Sequence, residues 1–340
     1  MIAHTSPRDL FVGYLRREFT LTSDDEWILD TPGGNLLYAS VGYLIWESEL
    51  GPGILSRVGE DFPEIWLEEI SARGIDIRGV VILPRSMDLR SCTILEGNRS
   101  LRKVNPISYL SKRGVGLPAE LIGYSNYSPP KSSRTERQET AIREADIPEA
   151  FGSATGAHIC PLDYLSHNLL PAVLRNKGFS TITLDPGSSY MVPEYFGDFP
   201  SLIPGLTAII PAEEDLRNLY KGKSVDLWEI AEDLGHYGCD MVVIKRADYG
   251  QYLYESATGR KWDIPAYPAR VVNPEGVGDA FCGGLLAGYR RSFDPLEAVL
   301  RGNVSASLAI EGHGAFFGLD ALPGLADARL EALRAEPREV

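Results

Sequence analysis

Val271-Val-Asn-Pro-Glu-Gly-Val-Gly-Asp-Ala-Phe-Cys-Gly-Gly-Leu-Leu286 is the stretch from which the rest of the chain is read. Its two valines form an extended pair that leads into Gly276-Val277-Gly278-Asp279, and a helix is predicted from about Gly278 to Arg291. Glycines let a backbone turn sharply with successive amide N–H groups pointing outward, and a helix start adds its positive dipole end. Together they make an anion hole. Asp279 places a carboxylate beside any phosphoryl group bound there. A carboxylate at that point repels phosphate unless it has a task, and the natural task is to take a proton from an attacking hydroxyl. A plain glycine-rich turn with Asp279 stabilising the helix start accounts for the same four residues and stays open at this point.

Working outward, short apolar strands alternate with amphipathic helices, the βαβ rhythm of a parallel sheet covered on both faces. Strands are predicted at 10–15, 53–58, 77–83, 158–160, 181–184, 208–210 and 241–244. Helices are predicted at 35–46, 62–72, 164–176, 213–220 and 226–235. In the second of these Ile65, Leu67 and Ile70 are assigned to the core, and Gly74 is placed to end it. Another helix begins with Asp294 as N-cap, Pro295 at the first helical position and Glu297 at the third. Residues 84–116 break the rhythm: 93–95 can be a strand, but the neighbourhood is basic and lacks helical period, so it is assigned with 18–30 to a small outlying sheet. Residues 124–140 form the most polar stretch and are expected to be an exposed loop.

The bulk numbers narrow the function classes. Of 340 residues, 33 are Lys or Arg and 47 Asp or Glu, a net charge of −14, which disfavours nucleic acid and anionic membrane surfaces as partners. No apolar run approaches about 18 residues, so no membrane span is expected. Met1 to Asp9 lacks the apolar stretch of a secretory signal, and the four cysteines (Cys92, Cys160, Cys239, Cys282) are far apart. A reducing cytoplasm is the expected home, and the sequons at Asn98, Asn126 and Asn303 carry no weight there.

Gly276-Val-Gly-Asp-Ala-Phe-Cys-Gly-Gly resembles the C-terminal signature of the PfkB/ribokinase family of sugar and nucleoside kinases, Asp-Thr-x-Gly-Ala-Gly-Asp-x-Phe-x-x-Gly. The resemblance extends along the chain. Gly13 is followed five residues later by Glu18, as a family glycine is by a substrate-binding acid. Gly33-Gly34 before a helix is similar to the family di-glycine, and Arg57-Val-Gly-Glu-Asp-Phe with Leu67 to Ile75 to the "VGxD … L…GV" block. Leu184-Asp185-Pro186 is similar to a strand-ending Asp-Pro. Asn303, eleven residues before Gly314-Ala315, matches an asparagine beside the adenine.

The resemblance implies an α/β, ribokinase-like fold: a central, mostly parallel sheet flanked by helices, with a small β-sheet lid. Residues 1–340 would be one kinase domain, the lid coming from about 16–31 and 84–116. ATP with Mg2+ would phosphorylate an alcohol, a primary hydroxyl by preference, of a small polyhydroxylated molecule. Asp279 would be the general base and Gly276, Val277 and Gly278 the anion hole. Glu18, Gly33, Gly34 and Asn35 would hold the acceptor, and Lys245, Arg246, Ala247, Asp248, Gly250 and Asn303 the nucleotide. Two copies would pair through the lid.

The chain departs from the pattern at four points. The family's Asn-x-x-Glu, tied to Mg2+ and phosphate, falls on Ala212-Glu213-Glu214-Asp215, which leaves Asp215 as the metal-side carboxylate. Asn273-Pro274 replaces Asp-Thr, Ala247 replaces a nucleotide-loop glycine, and Tyr38 stands where many members carry asparagine. The alternatives kept open are a nucleoside or cyclitol acceptor, and a lapsed member that only binds or scaffolds. Other candidates weaken. Gly222-Lys223-Ser224 lacks the earlier P-loop glycine, and Gly51-Pro-Gly53 the third glycine of a dinucleotide fingerprint. His158 and Cys160 suit core packing better than a metal. His313 suits the adenine pocket or a loop. Arg16 and Arg17 suit an anionic substrate group or the surface. Tyr14, Trp27, Tyr38, Tyr43 and Trp46 suit the core better than a ring-stacking platform.

Overall fold

A computed structural model describes residues 6–97, 100–103, 106–124 and 132–340, so part of the polar stretch at 124–140 and the sequons at Asn98 and Asn126 lie outside the described residues. The chain opens with β1 (Asp9–Val12), β2 (Arg16–Leu21), β3 (Trp27–Gly33), α1 (Asn35–Leu44), β4 (Gly53–Gly59), α2 (Glu64–Ala72) and β5 (Asp76–Leu83). β6 (Arg90–Glu96), β7 (Ser100–Lys103) and α3 (Pro106–Arg113) follow, then β8 (Gly156–Ile159), α4 (Tyr164–Asn176), β9 (Thr181–Leu184) and β10 (Ala208–Ile209). The remainder is α5 (Glu213–Leu219), α6 (Leu227–His236), β11 (Met241–Lys245), β12 (Gln251–Glu255), β13 (Lys261–Ile264), α7 (Val277–Ser292), α8 (Pro295–Ala309), α9 (Leu325–Leu333) and β14 (Arg338–Glu339).

Ten strands form one sheet in the order β14-β13-β12-β11-β10-β9-β8-β1-β4-β5. It is parallel from β11 through to β5 and antiparallel from β11 outward to β14. The central strands are buried along their whole length, as a sheet with helices on both faces requires. Alternate residues divide between two cores. Phe11, Ile54 and Val58 face one side with α1, α2, α7 and α8; Leu10, Val12 and Leu55 face the other with α4 and α6. Buried Asp9 fixes the order of layers, because it takes Arg290 of α7 at 2.8 Å and the Tyr43 hydroxyl of α1 at 2.8 Å.

β3, β2, β6 and β7 form a second, smaller sheet. β2 pairs parallel with β6 and antiparallel with β3. Phe19 and Cys92 with Leu121, and Leu21 and Ile94 with Leu110, give it two small cores along one face, both touching Trp27.

Several expectations need correction. Ile65 is 65% exposed while Leu67 and Ile70 are buried, because two residues advance a helix by about 200° and put Ile65 on the opposite face. Val271 and Val272 join no strand; the amides of Val272 and Asn273 both donate to the Ile310 carbonyl instead. Residues 106–113, read as irregular, are helix α3, whose Leu110 is its buried apolar anchor. The antiparallel edge strands β12 to β14 and helix α9 went unanticipated.

Candidate active site

Gly276 is the N-cap of α7 and sits in the left-handed region at φ 70°. It has no room for a side chain, since a Cβ there would lie 2.1–2.4 Å from three carbons of the Tyr38 ring. Val277, Gly278 and Asp279 form the first helical turn, where amide N–H groups have no partner within the helix. With 16 residues behind it, α7 brings a full dipole to this point.

Lys245, the last residue of β11, brings its ammonium to the turn: its Nζ lies 3.5 Å from the Cβ position of Gly278. It is ion-paired with buried Asp185, which follows β9, and stands 3.9 Å from Cys282 Sγ. Burial alone would lower the Lys245 pKa, but the attraction of Asp185 outweighs it and holds the ammonium above the ordinary lysine range. A fixed positive charge and a helix start therefore meet at one place.

Beside them opens a cleft of about 540 Å³, lined by Lys245, Ala247, Asp248, Val277, Phe281 and Asn303 among others. Asn303 lines this cleft with its side-chain amide engaged by protein groups. Its oxygen accepts from the Tyr267 amide at 2.9 Å, and its NH2 donates to Gln251 and to the Pro265 carbonyl, both at 2.8 Å. Ala247 holds a positive φ of 48°, a conformation suited to the glycine the signature has there, and Gly250 follows at φ 87°. Arg246 turns aside to Asp263 and stacks on Tyr252, 3.8 Å from its ring centre.

A second helix start faces the first. Gly34 caps α1 at φ 98°, and its amide donates to Glu18 Oε1 at 2.7 Å. Tyr38 Oη donates to Glu18 Oε2 at 2.9 Å, so this one carboxylate joins the di-glycine turn to the ring beneath Gly276. Burial, then the carboxylates of Glu18, Glu275 and Asp279, keep the Tyr38 hydroxyl well above its ordinary pKa and thus protonated. Asn35 accepts from the Tyr14 amide and donates to the Pro161 carbonyl, each at 2.8 Å, tying the same turn to the ends of β1 and β8.

Asp215, in the first turn of α5, accepts from Ser188 Oγ at 3.1 Å. Burial raises its pKa to about 6, with Ser188 opposing and Asp185 adding to the shift. Among the described residues no group of three or more metal-binding side chains occurs. Asp215, a carboxylate at a helix start, has the chemistry to hold the waters of a magnesium ion carried mostly by nucleotide phosphates.

The fold thus brings Gly276, Val277, Gly278, Asp279 and Lys245 together at one helix start, and Glu18, Gly33, Gly34 and Asn35 at the other. Tyr38 and Asp185 join the two groups to their surroundings. The sequence marks Tyr38 only as a departure from the signature and as one of several core aromatics, and Asp185 only as part of an Asp-Pro match. A carboxylate just past the end of a parallel strand was the available signal for Asp185. Arg17 pairs with Asp30 at 2.7 Å. His158 and Cys160 are fully buried, His158 against Thr183. Tyr43 and Trp46 belong to the core, and all four cysteines are free and buried.

A model of the pfkB family carbohydrate kinase matches residues 126–322, more than half of the chain. A cytidine kinase of Thermococcus kodakarensis is 27% identical over 253 residues, covering 73% of this chain and 77% of that protein. A 2-dehydro-3-deoxygluconokinase of Bacillus subtilis is 25% identical over 286 residues, 78% of this chain and 77% of the relative. Among solved structures, a protein described as ribokinase II of E. coli, in complex with ATP and Mg2+, shares the fold at a TM-score of 0.69 and 18% identity, over 96% of this chain and 99% of the other.

Proposed function

The chain belongs to the pfkB family of carbohydrate kinases, and from that premise we propose that it transfers the γ-phosphoryl group of ATP to a hydroxyl, primary by preference, of a sugar or of the sugar part of a nucleoside. The observation that carries this reading is the joint placement of Lys245 and Asp279 at the start of α7, beside a cleft of about 540 Å³.

Asp279 takes the proton of the acceptor hydroxyl. The freed oxygen attacks the γ-phosphorus while the bond to the bridging oxygen of ADP breaks. The amides of the Gly276–Gly278 turn and the Lys245 ammonium meet the charge that spreads over the transferring group, where preorganised donors contribute most. Lys245, Ala247, Asp248 and Gly250 border the nucleotide, Arg246 buttresses that loop through Asp263, and Asn303 sets the wall of the cleft. Magnesium, when bound, neutralises phosphate charge, and Asp215 is the residue to hold its waters. On the acceptor side, Glu18 and Asn35 fix the wall from which the Gly33-Gly34 peptides meet the acceptor's hydroxyls. The whole chain acts as one kinase domain, the small sheet closing over the acceptor to keep water from ATP and offering a face for a second copy. Among the described residues, no helix is long and apolar enough to cross a membrane.

The acceptor class is decided by thermal shift with a non-hydrolysable ATP analogue present. Nucleosides, free sugars and cyclitols are compared, and a gain in Tm from one class alone names it. No gain from any class, with the analogue itself bound, removes the sugar-like acceptor from the proposal.

A further inference from the structure

Thr93 lies on β6 of the small sheet, yet its hydroxyl donates to Glu275 Oε2 at 3.0 Å, 182 residues along the chain. Glu275 directly precedes the left-handed Gly276. Its own amide donates to the Oδ1 of buried Asn273 at 3.0 Å, so both ends of the residue are held. Thr93 is itself buried. In the same sheet Thr20 of β2 is the register partner of Thr93, and Glu18, two residues earlier on β2, holds the Tyr38 ring against Gly276. Both inner strands of the small sheet thus reach the phosphoryl-transfer turn, one through Glu275 and one through Tyr38.

We propose that Thr93 and Glu275 are positioning residues that make the geometry of the anion hole depend on the seating of the small sheet. The proposal rests on the kinase reading for its meaning but not for its physics. A left-handed residue followed by a helix start has few internal bonds of its own. The Ala280 amide donates to the Gly276 carbonyl at 2.8 Å, while the amides of Val277 to Asp279, in the first turn, have no partner within the helix. Outside contacts must therefore select its conformation. When the sheet lifts, Glu275 loses one anchor and the turn is free to open. When the sheet seats, the donors align. ATP then meets an aligned hole only when the site is covered, which limits wasteful transfer to water.

The test is amide exchange of the full chain at Glu275 and Ala280, compared among the parent, Thr93→Val and Thr93→Ser, with affinity for a non-hydrolysable ATP analogue measured alongside. Thr93→Val keeps the shape and removes the donor; exchange at both amides is expected to rise about five- to tenfold, the worth of one hydrogen bond. Amides of β2 and affinity for the analogue should change less than twofold. Thr93→Ser, which keeps the hydroxyl, should return exchange to the parent rate. Glu275→Ala cuts the link from the other side and should speed exchange on β6. Unchanged exchange at Glu275 and Ala280 in Thr93→Val overturns the proposal, as does a Ser variant that behaves like Val, or a loosening of β2 equal to that of the turn. Because no acceptor or turnover enters the readout, a failed kinase reading would leave these outcomes intact and separately visible.

Discussion

Gly276→Ala tests the geometry at its tightest point. An L-residue in the left-handed region costs about 1–2 kcal/mol. The added methyl would also sit 2.1–2.4 Å from the Tyr38 ring, which is 4% exposed and tethered through its hydroxyl to Glu18, so it has nowhere to retreat. Overpacking of this kind adds about 1–3 kcal/mol, for a total loss of about 2–5 kcal/mol. Urea unfolding measures it as a lower midpoint at constant slope. Tyr38→Ala in the same chain removes the ring, so the two substitutions should be non-additive by about 1–3 kcal/mol, the clash portion, while the backbone cost persists. A Gly276→Ala chain within about 0.5 kcal/mol of the parent, or strict additivity of the pair, would refute the packing of Tyr38 against the Gly276 turn.

Three further predictions concern the surroundings of the site. Ala247→Gly relieves the positive φ of 48° in the loop after β11 and should stabilise the chain by about 0.5–1 kcal/mol, after the entropy cost of glycine, as read from the urea midpoint. Burial depresses the pKa of His158 to about 3, helped by Lys245, and that of His167 to about 4. The unfolded chain therefore binds more protons below about pH 6.5, and the stability present above that pH is lost as it falls, by about 1.4 kcal/mol per pH unit for each histidine. His158→Gln should flatten the pH dependence between about 6 and 4 by that amount, in unfolding curves taken across the range. Asp215→Asn should raise the Mg2+ concentration needed for half-maximal ATP turnover about tenfold with little change in Tm, and an unchanged requirement would remove Asp215 from the metal side.

Much of the architecture was legible because it rests on local rules. The parallel strands carry continuous apolar runs, Gly74 takes its helix-ending positive φ of 91°, and Asp294 caps α8 by accepting from the Glu297 amide at 3.0 Å. The glycine frame of residues 276–279 marked the turn that opens α7, because the left-handed Gly276 and the Tyr38 ring against it restrict residue choice there. Less visible was anything decided by partners distant in sequence. Val271 and Val272 have strand propensity, but the Ile310 carbonyl claims their neighbourhood first. Ile65 is apolar at the wrong helical phase. Glu18 and Asn35 carry the residue types that hold substrate hydroxyls, and only the folded chain shows both bonded to protein groups. Thr93 and Glu275 have no signature at all, since their meeting depends on how the small sheet lies over the larger one.

The most direct test of the account is transfer of radiolabelled γ-phosphate from ATP, with Mg2+, to a panel of nucleosides, sugars and cyclitols, run with the parent chain and with Asp279→Asn. The parent should label one acceptor class, and Asp279→Asn should lose about 10²–10⁴ in rate while still binding ATP, because only the proton acceptor has gone. Transfer at the parental rate by Asp279→Asn, or a parent chain that fails to bind ATP, would contradict the central claim.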